Sequence, residues 1–520
     1  MIIRITICSS LLLLAISLDR APLFAEEWAV RPKPSRDKRL APELDLVRHC
    51  DSHYMGMCRN GRSVYKTTYG QANQMKSMAS SMDSNASSKV HSRGRRLLIS
   101  YSGRGKKPSE ATLKAAGLKK IEDYERGSYL VVEPLDSVTA QTVTALLADD
   151  AITHASPDYV MTVAPVARAA VAQDEPPTAT TPNDPLFSQL WGMKNIGATQ
   201  VWPTFRDATN VVVAVIDTGV DYTHQDLKAN MWTKNGRYGY DFYDNDDDPM
   251  DEQNHGTHCA GTIAGVGNNG VGVVGVNWKA RVMALRFLGP DGSGSTSDAV
   301  KCIDWAVANG AHVLSNSWAG PDLPPQLTEA IARAEQKGVL FVAAAGNTVG
   351  NGNNNDANPY YPASLPHANI ISVGAIDVNN ARGSFSHFGS KSVDIGAPGV
   401  GIVSTVRGNK YDEYDGTSMA TPHVAGAAAL VWAKTFASPA QDKTQMTTVR
   451  DLIYANARPV PALAARWGNN APAKVPGGVL DISFLATQAP KEEPPVETPP
   501  SPPPRRLVQN RMKVDPAKLR

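Results

Sequence analysis

The stretch Val211-Val212-Val213-Ala214-Val215-Ile216-Asp217-Thr218-Gly219 decides the fold of this chain. Its six apolar residues, five of them β-branched, predict a strand that is buried on both faces, as the strands of a parallel sheet are. The run ends in a carboxylate followed by a turn signal, Thr218-Gly219. Asp217 is therefore expected at the carboxyl end of a buried strand, the edge where parallel α/β sheets carry their sites.

Strands and helices alternate after this run. Further strand-like runs lie at 281–287, 311–315 and 339–342, and helical spacing is found at 297–309 and 327–337. A glycine follows each helical run, Gly310 and Gly338, as expected where a helix ends. Residues 182–485 are therefore predicted to form an α/β domain with a doubly wound, mostly parallel sheet.

The regions outside this domain differ from it in composition. Apolar strand-like runs at 97–99, 129–132 and 152–160, with helical runs near 111–116 and 139–147, predict a small α+β domain over 95–164. A Pro/Ala/Thr-rich linker follows at 165–181, and the polar region 26–94 is expected to have little order. In the tail, 486–520, Pro occupies 8 of the 15 residues from 490 to 504, which predicts an extended segment outside the core.

The first 25 residues have the pattern of a secretory signal. Arg4 precedes an apolar run at 5–18 that is interrupted only by small polar residues, and the small residue Ala25 suits a cleavage site. The run is too short to span a membrane, which takes about 20 apolar residues. We expect a secreted, extracellular protein without a membrane span; the alternative is a buried N-terminal strand.

Overall composition excludes some classes of function. The chain has 520 residues, 42% of them hydrophobic, and 52 Lys+Arg against 50 Asp+Glu. This is enough apolar material for two or three cores, so general disorder is excluded. Near-neutral charge predicts neither a nucleic-acid nor an anionic-lipid partner.

Five cysteines are present, and Cys8 lies in the predicted signal. Cys50 and Cys58 are close enough in sequence to form a disulfide in an oxidising compartment. Cys259 and Cys302 lie in apolar surroundings and are expected to be buried free thiols, with a disulfide between them as the alternative. The spacings of the cysteines fit no compact zinc site.

Three segments could carry chemistry: the strand end at Asp217, Asn-His-Gly-Thr-His-Cys-Ala-Gly at 254–261, and Gly-Thr-Ser-Met-Ala-Thr-Pro-His-Val-Ala-Gly at 416–426. Asp-Thr-Gly also occurs in aspartic proteases, but those enzymes need two copies and this chain has one. The i, i+3 pair His255 and His258 lacks the glutamate of a hydrolytic zinc helix. Ser418 alone could be a helix N-cap, and Pro422 is expected in the first turn of the helix that Ser418 begins.

Taken together, the segments indicate a protease. The chain order Asp217, His255, Ser418 is that of subtilisin, and the three segments resemble the catalytic segments of the subtilase family over residues 182–485. The His-Gly-Thr-His-Cys sequence is similar to that of the thermitase and proteinase K branch. The resemblance implies a catalytic triad of Asp217, His255 and Ser418, and Ala-Ala-Ala-Gly-Asn at 343–347 implies Asn347 as the second donor to the oxyanion.

The same resemblance implies a substrate-binding segment. Ser-Asn-Ser-Trp-Ala-Gly at 315–320 is similar to the strand that pairs with an extended peptide, so Ser317, Trp318, Ala319 and Gly346 are expected to bind substrate. Ala319 replaces the usual glycine and is expected to narrow the primary pocket. Apolar or medium-sized side chains are predicted on the acyl side of the cleaved bond.

Structural calcium is predicted, with candidate ligands in two places. From 241 to 252 there are seven acidic residues in twelve and no Lys or Arg, a run that suits calcium or is solvated. The resemblance to thermitase implies the ligands Asp241, Asp244, Asp246 and Asp248 in that run. It implies a second set elsewhere in the chain, consisting of Asp184, Asp226 and Asn269.

The resemblance also gives the α+β domain a role, that of an inhibitory propeptide with the maturation site in the linker after it. The sequence therefore predicts a secreted, calcium-stabilised subtilisin-like serine endopeptidase made as an autoprocessed zymogen. It is expected to be a monomer that acts on protein and peptide substrates. The alternatives are a kexin-like processing protease and a catalytically silent subtilase fold that serves as a binding module.

Overall fold

The structure is a computed structural model of the chain. It describes residues 96–102, 107–135, 149–163, 181–468 and 474–487, together with 142, 146 and the short strands at 57–58, 62–63 and 166–168. The predicted signal, nearly all of the polar region 26–94, most of the linker and nearly all of the tail lie outside these residues. The candidate disulfide partner Cys50 lies outside them too.

The N-terminal part contains an antiparallel sheet. Its strands are β3 (Leu97–Tyr101), β4 (Leu118–Tyr124), β5 (Tyr129–Pro134) and β6 (Ile152–Pro157), in the order β4-β5-β3-β6, after the short pair β1 (Met57–Cys58) and β2 (Arg62–Ser63). Helix α1 (Glu110–Ala115) begins after Ser109, whose hydroxyl accepts a hydrogen bond from the backbone of Thr112. A small core of its own lies between helix and sheet. Of the helix predicted at 139–147, only Thr142 and Leu146 are described.

Two short strands, β7 (Val160–Thr162) and β8 (Val166–Arg168), lead towards the second part of the chain. Its main sheet has nine strands in the order β10-β11-β9-β13-β14-β15-β16-β20-β19, all pairs parallel except the last. The strands are β9 (Asp207–Asp217), β10 (Gly239–Asp241), β11 (Lys279–Arg286), β13 (Val313–Asn316), β14 (Leu340–Ala344), β15 (Ile370–Ile376), β16 (Ile395–Pro398), β19 (Arg458–Pro459) and β20 (Gly478–Val479). The run quoted first thus forms a central strand, buried between β11 and β13.

Among its described residues, this part also has three strands outside the main sheet, seven α-helices and four short 3-10 helices (Phe187–Gln189, Lys228–Asn230, Pro461–Leu463 and Ser483–Ala486). The strands are β12 (Ser293–Ser295), β17 (Ile402–Val406) and β18 (Lys410–Asp415). The helices are α2 (Trp191–Asn195), α3 (Ala198–Val201), α4 (His255–Ala264), α5 (Thr296–Ala308), α6 (Pro325–Gln336), α7 (Thr417–Thr435) and α8 (Lys443–Ala455). In the described part of the chain, no helix is both long enough and apolar enough to cross a membrane.

Helices α4 and α7 are unusual because they are buried on all sides. Every residue of α4 and the first sixteen of α7 are buried, and α7 crosses one face of the sheet, where it contacts five strands. Small residues dominate both helices, which allows close approach to the strands. On the opposite face, α5 and α6 pack on a second apolar cluster. This arrangement fixes the amino ends of α4 and α7 at the carboxyl edge of the sheet.

Candidate active site

Asp217 and His255 meet at this edge. Asp217 is the last residue of β9, and His255 is the first residue of α4. Nδ1 of His255 lies 2.8 Å from Oδ1 of Asp217, and both side chains are fully buried. A hydrogen bond from Nδ1 to a carboxylate fixes the tautomer in which Nε2 is the proton acceptor. Nε2 has no hydrogen-bond partner among the described residues, so it is available to take a proton.

The glycines that flank these residues allow the two segments to approach each other. A Cβ on Gly256 would lie only 2.0 Å from the carbonyl oxygen of Gly219 and 3.1 Å from Cβ of Asp217. Any larger residue at position 256 would therefore push α4 away from the end of β9. The Asp217–His255 distance depends on this glycine.

Ser418 is the second residue of α7 and is 3% exposed. Its hydroxyl donates a hydrogen bond of 3.0 Å to the carbonyl oxygen of Ser317, which follows β13. For this hydroxyl to donate to Nε2 of His255 instead, the Ser418 side chain must rotate. The backbone N–H of Ser418 lies in the first turn of α7, where N–H groups have no acceptor within the helix and the helix dipole is positive.

Pro422 is not in the first turn of α7, where the sequence placed it. The helix begins at Thr417, so Pro422 is its sixth residue and lies in the second turn. A proline has no N–H to donate to the carbonyl four residues earlier, which here belongs to Ser418. That carbonyl instead accepts from Oγ of Ser317 at 2.9 Å and from Sγ of Cys259 at 3.5 Å. The missing helical bond thus allows two other segments to hold the backbone of Ser418.

Asn347 lies three residues beyond the end of β14 and faces the start of α7. Its Oδ1 accepts hydrogen bonds from the backbone N–H and the hydroxyl of Thr417, each 3.0 Å long. Its Nδ2 lies 3.5 Å from the point that a Cβ on Gly416 would occupy. The amide is therefore oriented with its oxygen towards Thr417 and its donor group close to Gly416 and Ser418.

Cys259 packs beneath these side chains. Its Sγ lies within 4.8 Å of a carboxylate oxygen of Asp217 and a ring nitrogen of His255. Cys259 and Cys302 are both free and buried, as predicted, and no disulfide joins them. Burial, reinforced by the charge of Asp217, raises the pKa of the Cys259 thiol well above its ordinary value. The thiol is therefore neutral and packs as a small apolar group.

The segment 160–163 runs alongside the predicted substrate-binding residues. Thr162 and Ala319 form an antiparallel bridge with two hydrogen bonds of 3.2 and 3.3 Å. On its other side, β7 pairs antiparallel with β12, and the N–H of Val163 donates to the carbonyl of Gly292 at 3.0 Å. Met161 is fully buried in the apolar cluster under this pairing. An extended stretch of the N-terminal part is thus held between two backbone segments of the second part.

Further along the chain, β8 pairs antiparallel with β18, with Val166 opposite Asp415. Asp415 precedes Ser418 by three residues, so this second pairing also involves a segment close to Ser418 in the chain. Residues 164 and 165 lie outside the described residues. The described residues before and after this gap therefore both pair with strands of the second part of the chain.

The side chain of Trp318 is buried, and position 346 has no room for a side chain. The Trp318 side chain is 1% exposed, packs edge-on against Phe287 and donates its indole N–H to the carbonyl of Ile216 at 3.0 Å. Only its backbone can contact a substrate. Gly346 has φ of +111°, and a Cβ there would lie 2.5 Å from Nδ1 of His387 and 2.7 Å from Cδ1 of Tyr360. This position therefore requires glycine.

Asp184, Asp226 and Asn269 come together at the loop after α4. The carboxylate of Asp184 accepts from the N–H groups of Asn268 (2.7 Å) and Asn269 (3.2 Å), and that of Asp226 accepts from Nδ2 of Asn269 (2.7 Å). Burial raises the pKa of both carboxyls, to about 6 for Asp226, where the charge of Asp184 adds to the effect. No Lys or Arg in the described ranges forms a salt bridge with either. Two neighbouring buried carboxylates and an amide suit a hard divalent cation such as calcium.

The acidic loop at 241–252 has a different environment. The guanidinium of Arg286, which is 3% exposed, lies 2.8 Å from Asp241, 3.1 Å from Asp244 and 2.7 Å from Glu252. Asp246 and Asp248 are exposed. The run itself contains no Lys or Arg, but Arg286, at the end of β11, supplies positive charge. The loop is therefore partly neutralised without a metal ion.

Comparison with known proteins agrees with this architecture. The sequence profile of the subtilase family matches residues 208–477. A thermophilic serine proteinase of Bacillus sp. (strain AK1) is 39% identical over 321 residues, which cover 61% of this chain and 73% of that protein. The chain belongs to the subtilase family.

Two other relatives of this subtilase bear on its fold. Thermitase from Thermoactinomyces vulgaris is 42% identical over 252 residues, which cover 48% of this chain and 85% of thermitase. Fervidolysin from Fervidobacterium pennivorans, a keratinolytic enzyme related to subtilisin, superposes with a TM-score of 0.61 at 27% identity, covering 76% of this chain and 61% of fervidolysin. The predicted family and the predicted α/β fold are confirmed, and the chain is a subtilisin-like serine protease.

Sequence reasoning missed several residues of the site. It did not foresee that Arg286 enters the acidic loop, that Ser317 and Cys259 hold the carbonyl of Ser418, or that His387 packs against Gly346. Each contact joins residues far apart in the chain. No local pattern in the sequence indicates them.

Proposed function

We propose that this subtilase hydrolyses peptide bonds through a triad of Asp217, His255 and Ser418. The observation that supports the triad best is the 2.8 Å hydrogen bond between the buried Asp217 and Nδ1 of His255, which leaves Nε2 as the proton acceptor. His255 would take the proton of Ser418 as its oxygen attacks the carbonyl carbon, and would return that proton to the leaving amine. Asp217 would orient the imidazole and stabilise its cation.

The oxyanion of the tetrahedral intermediate would be held by two donors, the backbone N–H of Ser418 and Nδ2 of Asn347. Support comes from the anchoring of Asn347 by Thr417, which turns the amide so that its donor group faces the start of α7. Donors that are already in place need no reorganisation as charge develops, which is the main source of their effect.

Peptide substrates would bind as an added strand between β12 and residues 317–320, where Ser317, Ala319 and the backbone of Trp318 are available. The pairing of the segment 160–163 with β12 and with Ala319 supports this mode of binding. The apolar residues Met161 and Val163 support the expectation of apolar side chains on the acyl side.

The same contacts support a zymogen. The N-terminal domain would inhibit the protease because β7 pairs with β12 and Ala319, where a substrate strand is proposed to bind, and self-cleavage in the 164–181 region would begin maturation. Export of the precursor is proposed from the signal-like segment at 1–25. The buried pair Asp184 and Asp226, with Asn269, supports structural calcium; Arg286 makes the 241–248 loop the weaker candidate.

Replacement of the nucleophile tests the proposal. Ser418→Ala should remove nearly all peptidase activity and leave the purified precursor uncut between 160 and 182. Ser372→Ala is a matched control, because Ser372 is also a buried serine and its hydroxyl has no hydrogen-bond partner among the described residues. Normal maturation of pure Ser418→Ala precursor would exclude self-cleavage, and retained peptidase activity would exclude the triad.

The two alternatives make different predictions. A silent binding module would give the same zero activity for wild type and Ser418→Ala. A kexin-like enzyme would need acidic groups around its primary pocket, whereas the side chains closest to the point that a Cβ on Gly346 would occupy are those of Tyr360 and His387. Cleavage of a peptide library by the mature enzyme separates these cases, because only the kexin-like enzyme would require a basic residue before the cleaved bond.

A further inference from the structure

Asn347 lies in a segment with little internal support. Gly346 before it has φ of +111°, Gly350 after it has φ of +102°, and Val349 is 90% exposed. Glycines have more freedom than other residues, so such a segment would sample several conformations unless other parts of the chain hold it. An oxyanion donor must nevertheless be held within a few tenths of an ångström of its productive position.

Two sets of contacts hold the segment, one on each side. On one side, Thr417 binds Oδ1 of Asn347. On the other, residues 346–348 pair antiparallel with 385–387. There the N–H of His387 donates to the carbonyl of Gly346 at 2.9 Å, and the N–H of Thr348 donates to the carbonyl of Phe385 at 2.9 Å.

The imidazole of His387 adds a side-chain contact to this pairing. Its Nε2 shares a hydrogen bond of 2.7 Å with Oγ1 of Thr348, the residue directly after Asn347. The ring is 1% exposed, and Tyr360 packs edge-on against it with centroids 4.8 Å apart. On the other side, Nδ1 of the ring lies only 2.5 Å from the point that a Cβ on Gly346 would occupy. The ring therefore cannot move without displacing residues on both sides of Asn347.

The protonation state of His387 suits this role. Burial lowers the pKa of its imidazole to about 4, although the nearby carbonyls of Ala345 and Asn347 act in the opposite direction. The ring is thus neutral at the pH where a serine protease works. A neutral imidazole offers one donor and one acceptor and places no charge behind the oxyanion donors.

We propose that His387 is a positioning residue for catalysis: through Thr348 it holds the amide of Asn347 in the place where it stabilises the oxyanion. This inference rests on the proposed function, in which Asn347 is that donor. His387 does not itself contact the reacting atoms. Its effect should therefore appear in kcat, because the oxyanion forms only after the substrate has bound.

Single and double substitutions test the proposal, with kcat and KM measured on mature, active-site-titrated enzyme. His387→Leu fills the space of the imidazole but cannot form the hydrogen bond. Thr348→Val removes the hydroxyl, and because Thr348 is exposed, this variant should fold normally. Each should lower kcat about tenfold with little change in KM, less than the roughly 100- to 1,000-fold expected for loss of the donor itself in Asn347→Ala. His387→Gln, which can reach Thr348, should recover most of the loss.

The decisive arm repeats His387→Leu and Thr348→Val in an Asn347→Ala background, where neither should lower kcat further. His312→Leu is the matched control: this buried histidine also hydrogen-bonds and packs edge-on against an aromatic ring, Trp432, but it precedes β13 at the opposite edge of the sheet. It should lower thermal stability and leave kcat unchanged. A tenfold loss that persists without Asn347, or no loss in either single variant, overturns the proposal. An unchanged kcat in Asn347→Ala overturns the oxyanion assignment as well, and so separates the two failures.

Discussion

Asp158 should make docking of the N-terminal domain depend on pH. This residue, between β6 and β7, is 1% exposed and accepts hydrogen bonds from the N–H (2.8 Å) and the hydroxyl (2.7 Å) of Ser297 in the first turn of α5. Burial, with the charge of Asp298 added, raises the pKa of Asp158 to about 7, while Ser297 and Lys301 act in the opposite direction. In the free domain, an exposed aspartate would have a pKa of about 3.9.

The direction of this pH dependence follows from proton linkage. A carboxyl whose pKa is higher in the docked state takes up a proton on docking, so docking is favoured at low pH and weakens as the pH rises through about 7. With pKa values of about 3.9 when free and about 7 when docked, this one group weakens docking about tenfold between about pH 6 and pH 8. Glu329, whose pKa burial raises to about 6, acts in the same direction but mostly below this range.

The inhibition constant of a fragment containing residues 95–164 against the mature enzyme measures docking. The wild-type constant should rise about tenfold from about pH 6 to pH 8 relative to that of Asp158→Asn, which keeps the shape and cannot ionise. In the ratio of the two inhibition constants, the contributions of all other titrating groups cancel. A ratio that stays constant over this range, or changes in the opposite direction, would refute the reasoning.

Three other predictions concern stability. Removal of calcium by a chelator should lower the melting temperature of the wild type, and equal melting temperatures with and without calcium would count against the site. Asp226→Asn should abolish the difference between the two melting temperatures, whereas Asp246→Asn in the exposed loop should not. Ser317→Ala leaves the Ser418 carbonyl without its 2.9 Å hydrogen bond, so the free energy of unfolding should fall by about 1–3 kcal/mol and kcat should fall too. An unchanged midpoint of denaturant unfolding would contradict the role given to this contact. Gly346→Ala should lower both the melting temperature and activity because its Cβ would clash with His387, and wild-type behaviour would show that the contact can relax.

Local pattern was enough to predict the central strand and the family. The run ending at Asp217 forms β9, although the strand begins at Asp207, where alternating exposed residues hide the pattern. Gly310 and Gly338 follow α5 and α6 with φ of +87° and +70°, as the predicted helix ends require. Strand β4 was not predicted, because only Leu118 of its seven residues is fully buried and the apolar periodicity is weak.

Contacts between residues that are far apart in the chain could not be predicted from the sequence. The sequence places Pro422 near a helix start, but only the structure shows that α7 begins at Thr417 and that the freed carbonyl of Ser418 is taken by Ser317. Similarly, an acidic run read alone favours a cation, whereas the buried Arg286, which lies on another strand, forms ion pairs with its carboxylates. Both outcomes depend on tertiary packing, which spacing along the chain does not encode.

Reaction of the mature enzyme with a fluorophosphonate tests the central claim most directly, because the reagent modifies only an activated nucleophile. Peptide mass spectrometry should locate a single adduct on Ser418, and the adduct should be absent when His255 is replaced by Ala, since the serine is then no longer activated. An adduct on a different residue, or an unmodified Ser418 in enzyme that cleaves peptides, would contradict the account.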